Sequence, residues 1–237
     1  MFFFYFIQIS KIMNRIQVLI LFFLLLKTSL FGQLGITGGL GTMNGFGIKK
    51  TFYGFNLGLE YPRSNENTIF GRFAYYIPRN NTDSIIAFAD VISPSPPGAP
   101  LILQRNYIVS TGFTTIEGGT RQYLINAYDN GFSVYGGSTI MLCINSIKKN
   151  YENWNHPYNE SDYQNYGEEK GTILNLGVGI QGGLKYTFPS LGTIFCDLSG
   201  TYLIVSTSSN DAVYVSENYP FNSATLFSVN LGFRKDL

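Results

Sequence analysis

The chain has 237 residues, of which 13% are charged and 45% hydrophobic, with a formal net charge of +1. Ordinary soluble domains carry about 25% charged residues, so these charges are too few to wet the whole exterior of a soluble protein of this size. A balance so near neutrality, with no basic run outside the N-terminus, excludes a nucleic-acid binder, which needs a basic patch.

Residues 1–32 differ from the rest, with Lys11, Arg15 and Lys27 and no acid. The run IQVLILFFLLL (16–26) has the length of a secretory apolar core and is too short to span a bilayer comfortably as a helix. Met13-Asn14-Arg15 supplies a basic start directly before it, which points to Met13 as the initiator. Cleavage after Gly32, within SLFGQ, leaves Gln33 as the first mature residue, and without its three bases the mature chain is net acidic. An uncleaved anchor helix is the alternative. No cysteine lies near the cleavage point, which argues against a lipoprotein.

From Gln33 onward the recurring signal is alternation with period two, broken by turn residues. It predicts eight strands, at 33–41, 51–61, 68–77, 106–124, 131–146, 171–188, 191–206 and 225–234. The sixth, GTILNLGVGIQGGLKYTF, shows the pattern best. Leu174, Leu176, Val178, Ile180, Leu184, Tyr186 and Phe188 share one face, and Asn175, Gly177, Gly179, Gln181, Gly183 and Lys185 share the other. The fourth strand is less clean and carries Glu117 and Arg121. Connections 42–50, 78–105, 147–170 and 207–224 are long, whereas 62–67, 125–130 and 189–190 are short. Sorting of loops by parity is what an up-and-down barrel inserted from one side of a membrane requires.

Alternation alone does not say which face points out. A lipocalin-like soluble barrel puts the apolar face inside around a ligand; an outer-membrane barrel puts it against lipid. The polar faces decide, because they carry few charges: Glu60, Arg72, Glu117, Arg121, Lys185, Asp197 and Arg234. Three acids and four bases suit an interior where they pair, and the many glycines beside them suit a narrow lumen. Tyr53, Tyr61, Tyr75, Tyr186, Phe188, Tyr202 and Phe233 lie near strand ends, where interfacial girdles form. The expected architecture is therefore an all-β, eight-stranded antiparallel up-and-down transmembrane barrel spanning 33–237, in contact with outer-membrane lipid. Its last strand must pair with its first, since an open edge in hydrocarbon is costly. Eight strands leave an interior just wide enough for side chains to fill, so a plugged wall is expected rather than a wide pore.

Cys143 falls on the polar face of the fifth strand and Cys196 on the apolar face of the seventh, with the sixth between them. Strands two apart are separated by roughly 9–10 Å, beyond the reach of a disulfide, so two free thiols are expected. His156, the sole histidine, lies in a loop near Glu152, Glu160 and Asp162. That is the composition of a solvated loop more than of a metal site. No Ser-His-Asp or Cys-His arrangement can be assembled around it, and no stretch matches a phosphate-binding loop. Neither a cofactor nor a metal is expected.

Two groups remain as candidate sites. The seven interior charges gate a path for small solutes, or else form an ion-pair network that fills the barrel. The loop residues Tyr151, Trp154, Tyr158, Tyr163 and Tyr166, set among amides and acids, suit recognition of another envelope protein or a sugar, or else pack on the barrel mouth. The stretch ISPSPPGAP (92–100) is expected to be extended or turn-like.

With an export signal ending SLFGQ, alternating strands from Gln33 and a closing strand FSVNLGF (227–233), the chain resembles the small eight-stranded OmpA/OmpX-like or "porin family" outer-membrane barrels of Gram-negative bacteria. The resemblance covers the whole mature chain and is architectural. It implies an outer-membrane location more firmly than a task, since the family holds adhesins, envelope tethers, secretion-system accessories and proteins of no known role. In that family the final strand ends in an aromatic residue; here Phe233 is followed by Arg-Lys-Asp-Leu.

Overall fold

The computed structural model describes residues 34–46, 50–88, 100–129, 131–152, 168–209 and 224–237. The expected signal segment 1–32 lies outside the described residues.

Eight strands follow in chain order: β1 (Gly35–Gly45), β2 (Phe52–Pro62), β3 (Asn67–Phe88), β4 (Ile102–Ile125), β5 (Phe132–Tyr151), β6 (Glu169–Phe188), β7 (Gly192–Ser208) and β8 (Thr225–Asp236). Each pairs antiparallel with its sequence neighbour, and β8 returns to β1, from Gly35↔Asp236 to Gly45↔Leu226, so the barrel is closed.

The period-two pattern sets the faces. On β6, Leu176, Ile180 and Leu184 are 44%, 74% and 49% exposed, while Asn175, Gln181 and Lys185 between them are buried. The same holds on β2, where Tyr53, Phe55, Leu57 and Leu59 point out and Phe52, Asn56 and Glu60 point in. The barrel is thus apolar outside and polar within, the reverse of a lipocalin-type barrel. Cys143 faces the lumen, fully buried, while Cys196 faces outward beside Leu184 and Leu231; both are free thiols.

The strands differ in length from those the sequence suggested, and mostly at the end away from the tight turns. β3 runs on to Phe88 and β4 begins at Ile102, so most of the expected connection 78–105 is hairpin. The expected strand ends at Ile77, just before Pro78, whose ring cannot donate to a ladder. Here Pro78 sits at a register shift between Tyr76 and Arg79, a bulge, where no donor is needed. The bulge also inverts the alternation, so the face beyond it is carried by odd positions such as Ile85 and Ala87, and the simple pattern is lost. A second shift, at Leu176/Gly177, leaves Ile204 as an extra residue on β7 and puts Ile204 and Val205 both on the outside. The tight connections are 63–66, 126–131 and 189–191. In the last, Leu191 N–H donates to the Phe188 carbonyl at 3.3 Å, and Ser190 takes φ 65° after Pro189. The first connection on the loop end, 46–51, is no longer than 126–131, so sorting by parity holds for the other three long connections only.

β1, β2 and β8 have 11, 11 and 12 residues, close to the 9–11 that cross a bilayer. β3, β4, β5 and β6 have 22, 24, 20 and 20, up to roughly 70 Å or more of strand at about 3.3 Å per residue. One wall therefore stands well above the other.

An arginine placed on the apolar exterior tests the face assignment. Ile180→Arg, near the middle of the β6 apolar run, is expected to lower stability by about 2–4 kcal/mol in lipid vesicles, read by urea unfolding. A change near zero would mean that water, not lipid, covers this face.

Candidate functional site

The lumen is layered. At the turn end lies a charged layer assembled from strands distant in sequence, each side chain inward because it shares the parity of its strand's buried face. Arg72 of β3 donates from Nη2 and Nε to Glu117 Oε2 of β4, at 2.6 and 3.1 Å, and from Nη1 to Asp197 Oδ2 of β7 at 2.7 Å. The same Asp197 oxygen accepts from Arg121 Nη2 at 2.7 Å, and its other oxygen accepts from the Tyr135 hydroxyl. Arg121 Nη1 reaches Glu60 Oε2 at 3.0 Å. Glu60 also accepts from Thr68 and Tyr123, at 2.8 and 2.9 Å, and lies 3.6 Å from Arg234 Nη1. Arg234 continues to Asp129 in the 126–131 turn at 3.0 Å and to Asp236 at 2.9 Å.

The result is one alternating chain of acids and bases, Glu117–Arg72–Asp197–Arg121–Glu60–Arg234–Asp236. The seven charges singled out in the sequence are all buried here, Asp197 completely. Lys185 joins differently from its six companions. Its ammonium donates to the Tyr128 carbonyl and sits 4.0 and 4.2 Å from the Tyr123 and Tyr128 ring centres, so cation–π contact does the work of a carboxylate. Gly183 makes room for this packing: a Cβ there would meet the Tyr135 ring at 2.5 Å.

Toward the loop end the next layer is neutral and polar. Asn56 donates to Asn230 at 3.2 Å, and Ser199 and Ser228 lie 2.6 Å apart. Above it stands an apolar layer: Met43, Phe52, Ala74, Tyr76, Phe113, Met141, Cys143 and Leu226, with Leu203 packed against them. Seven of the eight strands contribute. β6 contributes Gly177, where an added Cβ would meet Thr201 and Leu203 at 2.7 and 3.1 Å, so its neighbours fill its place. Phe52 and Phe113 meet edge to face, ring centres 4.8 Å apart.

Above the bilayer-spanning portion, the tall wall builds a third cluster from Tyr107, Val109 and Ile147, with Ile85, Tyr151 and Ile173 against it. Lys149 is buried there, 3.5 Å from Glu169 and under 5 Å from the Tyr107 and Tyr151 ring centres (4.7 and 4.8 Å). Tyr151 belongs to this mouth: its ring packs on Tyr107 at 5.9 Å and its hydroxyl donates to Glu169 at 3.2 Å. The other loop candidates, Trp154, Tyr158, Tyr163 and Tyr166, lie outside the described residues, as does His156. Among the described residues no three metal-ligating side chains come together.

Sequence reasoning missed several members of these layers. Tyr123 and Tyr135 share the parity of Arg121 and Ser133 and were legible as inward; aromatic character masked them. Asp129 sits in a turn, where no periodicity marks it. Arg105 and Lys149 fell within stretches taken for connections.

Fold and faces together define a class. This is a small eight-stranded up-and-down β-barrel with an apolar exterior and an ion-paired interior, the architecture of the small outer-membrane barrels. No protein-family model matches the chain, and no curated protein matches it. Among solved structures it is similar to Ail, the attachment invasion locus protein of Yersinia pestis, at 14% identity and TM-score 0.42, covering 86% of this chain and 99% of that one. It is similar to Neisserial surface protein A at 10% identity and TM-score 0.42, covering 86% and 96%. It is also similar to a major outer membrane protein from Thermus thermophilus, at 9% identity and TM-score 0.49, covering 85% and 99%. Likeness of this degree concerns chain path, and neither ligand nor task is taken from it.

The hub of the charged chain gives the sharpest stability test. Asp197→Asn leaves two buried guanidinium groups short of an anion and is expected to cost about 3–5 kcal/mol, read as a lower urea midpoint of the folded barrel. Glu168→Gln, at an exposed pair, is expected to leave that midpoint essentially where it is, because exposed ion pairs contribute little to stability.

Proposed function

We propose that this chain is an integral outer-membrane barrel, exported by the signal at 1–32, whose lumen is plugged and whose work is done at its outer surface. In this reading it is a non-enzymatic envelope scaffold or binding protein, presenting its long loops to another envelope component.

The observation that carries the reading is the apolar layer across the lumen. An ion following the barrel axis meets a charged layer whose acids and bases are already paired with one another, then an apolar layer of methionine, phenylalanine, tyrosine and leucine side chains to which seven strands contribute. Dehydrating an ion there is costly, and apolar constrictions close pores by dewetting. The lumen charges then act as the barrel's internal filling. The tall wall of β3 to β6 supports an outer-surface role. It extends well past the bilayer and ends in the connections 89–101 and 152–168, the second of which holds Trp154, Tyr158, Tyr163 and Tyr166.

Planar-bilayer recording tests the plug. The wild-type barrel is expected to pass no steady current, while Phe52→Ala with Phe113→Ala is expected to give intermittent openings. Steady wild-type conductance would turn the reading to a pore. Exchange of residues 153–167 for a Gly-Ser linker tests the surface role. It is expected to preserve the heat-dependent gel shift of a folded barrel yet remove cross-links to envelope neighbours in whole cells; unchanged cross-linking would remove this loop from the proposal.

A further inference from the structure

On the outer face of the tall wall, where the apolar exterior stops, lies a groove of about 470 Å³. The transition is visible across three strands. Going toward the loop end, β4 passes from Ile116 to Thr114, Gly112 and Ser110. β5 passes from Ile144 to Ser146 and Lys148, and β6 from Leu174 to Thr172 and Lys170. The register places these side by side: Gly112 faces Ser146, Ser146 faces Thr172, and Lys148 faces Lys170. Gly112 forms the floor, and the bulge at Pro78 forms one wall; a Cβ on Gly112 would come within 3.0 Å of the proline ring. Tyr75, a girdle residue, stands at the lower rim.

Both lysines are exposed, and both ammonium groups bond the same oxygen, Glu168 Oε1, at 2.8 and 3.1 Å. The two cations therefore converge within about 6 Å of each other on one anionic oxygen. The carboxylate they hold is itself exposed and stands one residue before β6, outside the apolar run; the hydrogen bond from Lys148 and then that from Lys170 keep its pKa below the usual carboxylate value. An exposed ion pair of this kind contributes little to stability, so a stronger anion can take the place of the carboxylate.

From these features we infer that the groove is a binding site for an outer-leaflet lipid bearing a phosphate group. The phosphate sits between Lys148 and Lys170, displacing Glu168. Ser110, Thr114, Ser146 and Thr172 offer hydroxyls beneath it, and the acyl chains lie along Ile116, Ile144 and Leu174. The inference rests on the membrane reading above, because only a bilayer brings chains and headgroup to that height together. Charge complementarity selects the headgroup, and the step from apolar to hydroxyl to lysine side chains matches the profile of a lipid from tail to head.

The test uses the full barrel folded in a neutral maltoside detergent, titrated with phosphatidate or phosphatidylcholine and followed by native mass spectrometry. A gel run with and without boiling reports whether each variant is folded. The wild type is expected to retain phosphatidate in preference to phosphatidylcholine. K148Q with K170Q is expected to weaken phosphatidate by about tenfold or more, from roughly one lysine's surface attraction each, and to leave phosphatidylcholine unchanged. E168Q is expected to tighten phosphatidate severalfold. Equal retention of the two lipids, indifference to the lysine pair, weaker binding in E168Q, or displacement of phosphatidate by millimolar inorganic phosphate would each overturn the site. A chain that stays monomeric in buffer without detergent overturns the membrane reading itself, whereas a heat-modifiable barrel blind to phosphatidate overturns the groove alone.

Discussion

Backbone amides that enter hydrocarbon have to find their partners inside the protein, at a cost of several kcal/mol for each one that fails. The pairing of β1 with β8, eleven residue pairs long, meets that demand here. Everything else follows from closure. Once the sheet is a ring, the two faces of each strand become an outside and an inside with no edge between them. The period of the sequence then acts as a sorting rule: apolar positions meet lipid, and whatever is polar is taken into a space too small for bulk water. That is why so few charges suffice for a chain of this length, and why those of the lumen are held in pairs.

Confinement of charge has its own consequence. A buried arginine is tolerable when its donors are met, and buried ion pairs contribute less to net stability than their geometry suggests, since desolvation offsets attraction. What the lumen network supplies is registration. Asp197 on β7 binds arginines on β3 and β4, and Glu60 on β2 binds arginines on β4 and β8. A slip of one residue in β2, β3, β4, β7 or β8 would send one of these side chains into lipid. The lattice of pairs therefore penalises a slip of any of these five strands, which simple greasy alternation on the outside does less sharply.

The sequence carried the ring, its strand number, its faces and the inward set of charges because each depends on a local rule, alternation, that closure does not disturb. What it failed to carry are the places where the rule is broken on purpose. The expected third strand ends just before Pro78, whose ring lacks a donor, yet at a bulge the donor is superfluous, and the parity inversion beyond it hid Ile85 and Ala87. Ile204 on β7 repeats the lesson: an inserted residue puts two apolar side chains on the same face, which looks like noise in a window. Asp129 was invisible for another reason. Its role comes from a turn that folds beneath the barrel, and no periodicity points from a turn into a lumen.

These two bulges also account for the asymmetry of the wall. β3 and β7 bound the tall portion on either side, and each bears its bulge near the level where its outer partner stops: β2 pairs up to Tyr76, and β8 up to Tyr202. Past those points a strand has lost one neighbour, and a bulge lets it change twist without tearing the ladder on the side that remains. The remaining sheet has its inner side packed by Tyr107, Val109 and Ile147 and its outer side emerging from lipid through hydroxyls and lysines. The outer surface of this protein is thus not added to the barrel as loops alone. It grows out of the same strands, and the break in alternation is the physical device that lets one ribbon serve as membrane wall below and as a free-standing sheet above.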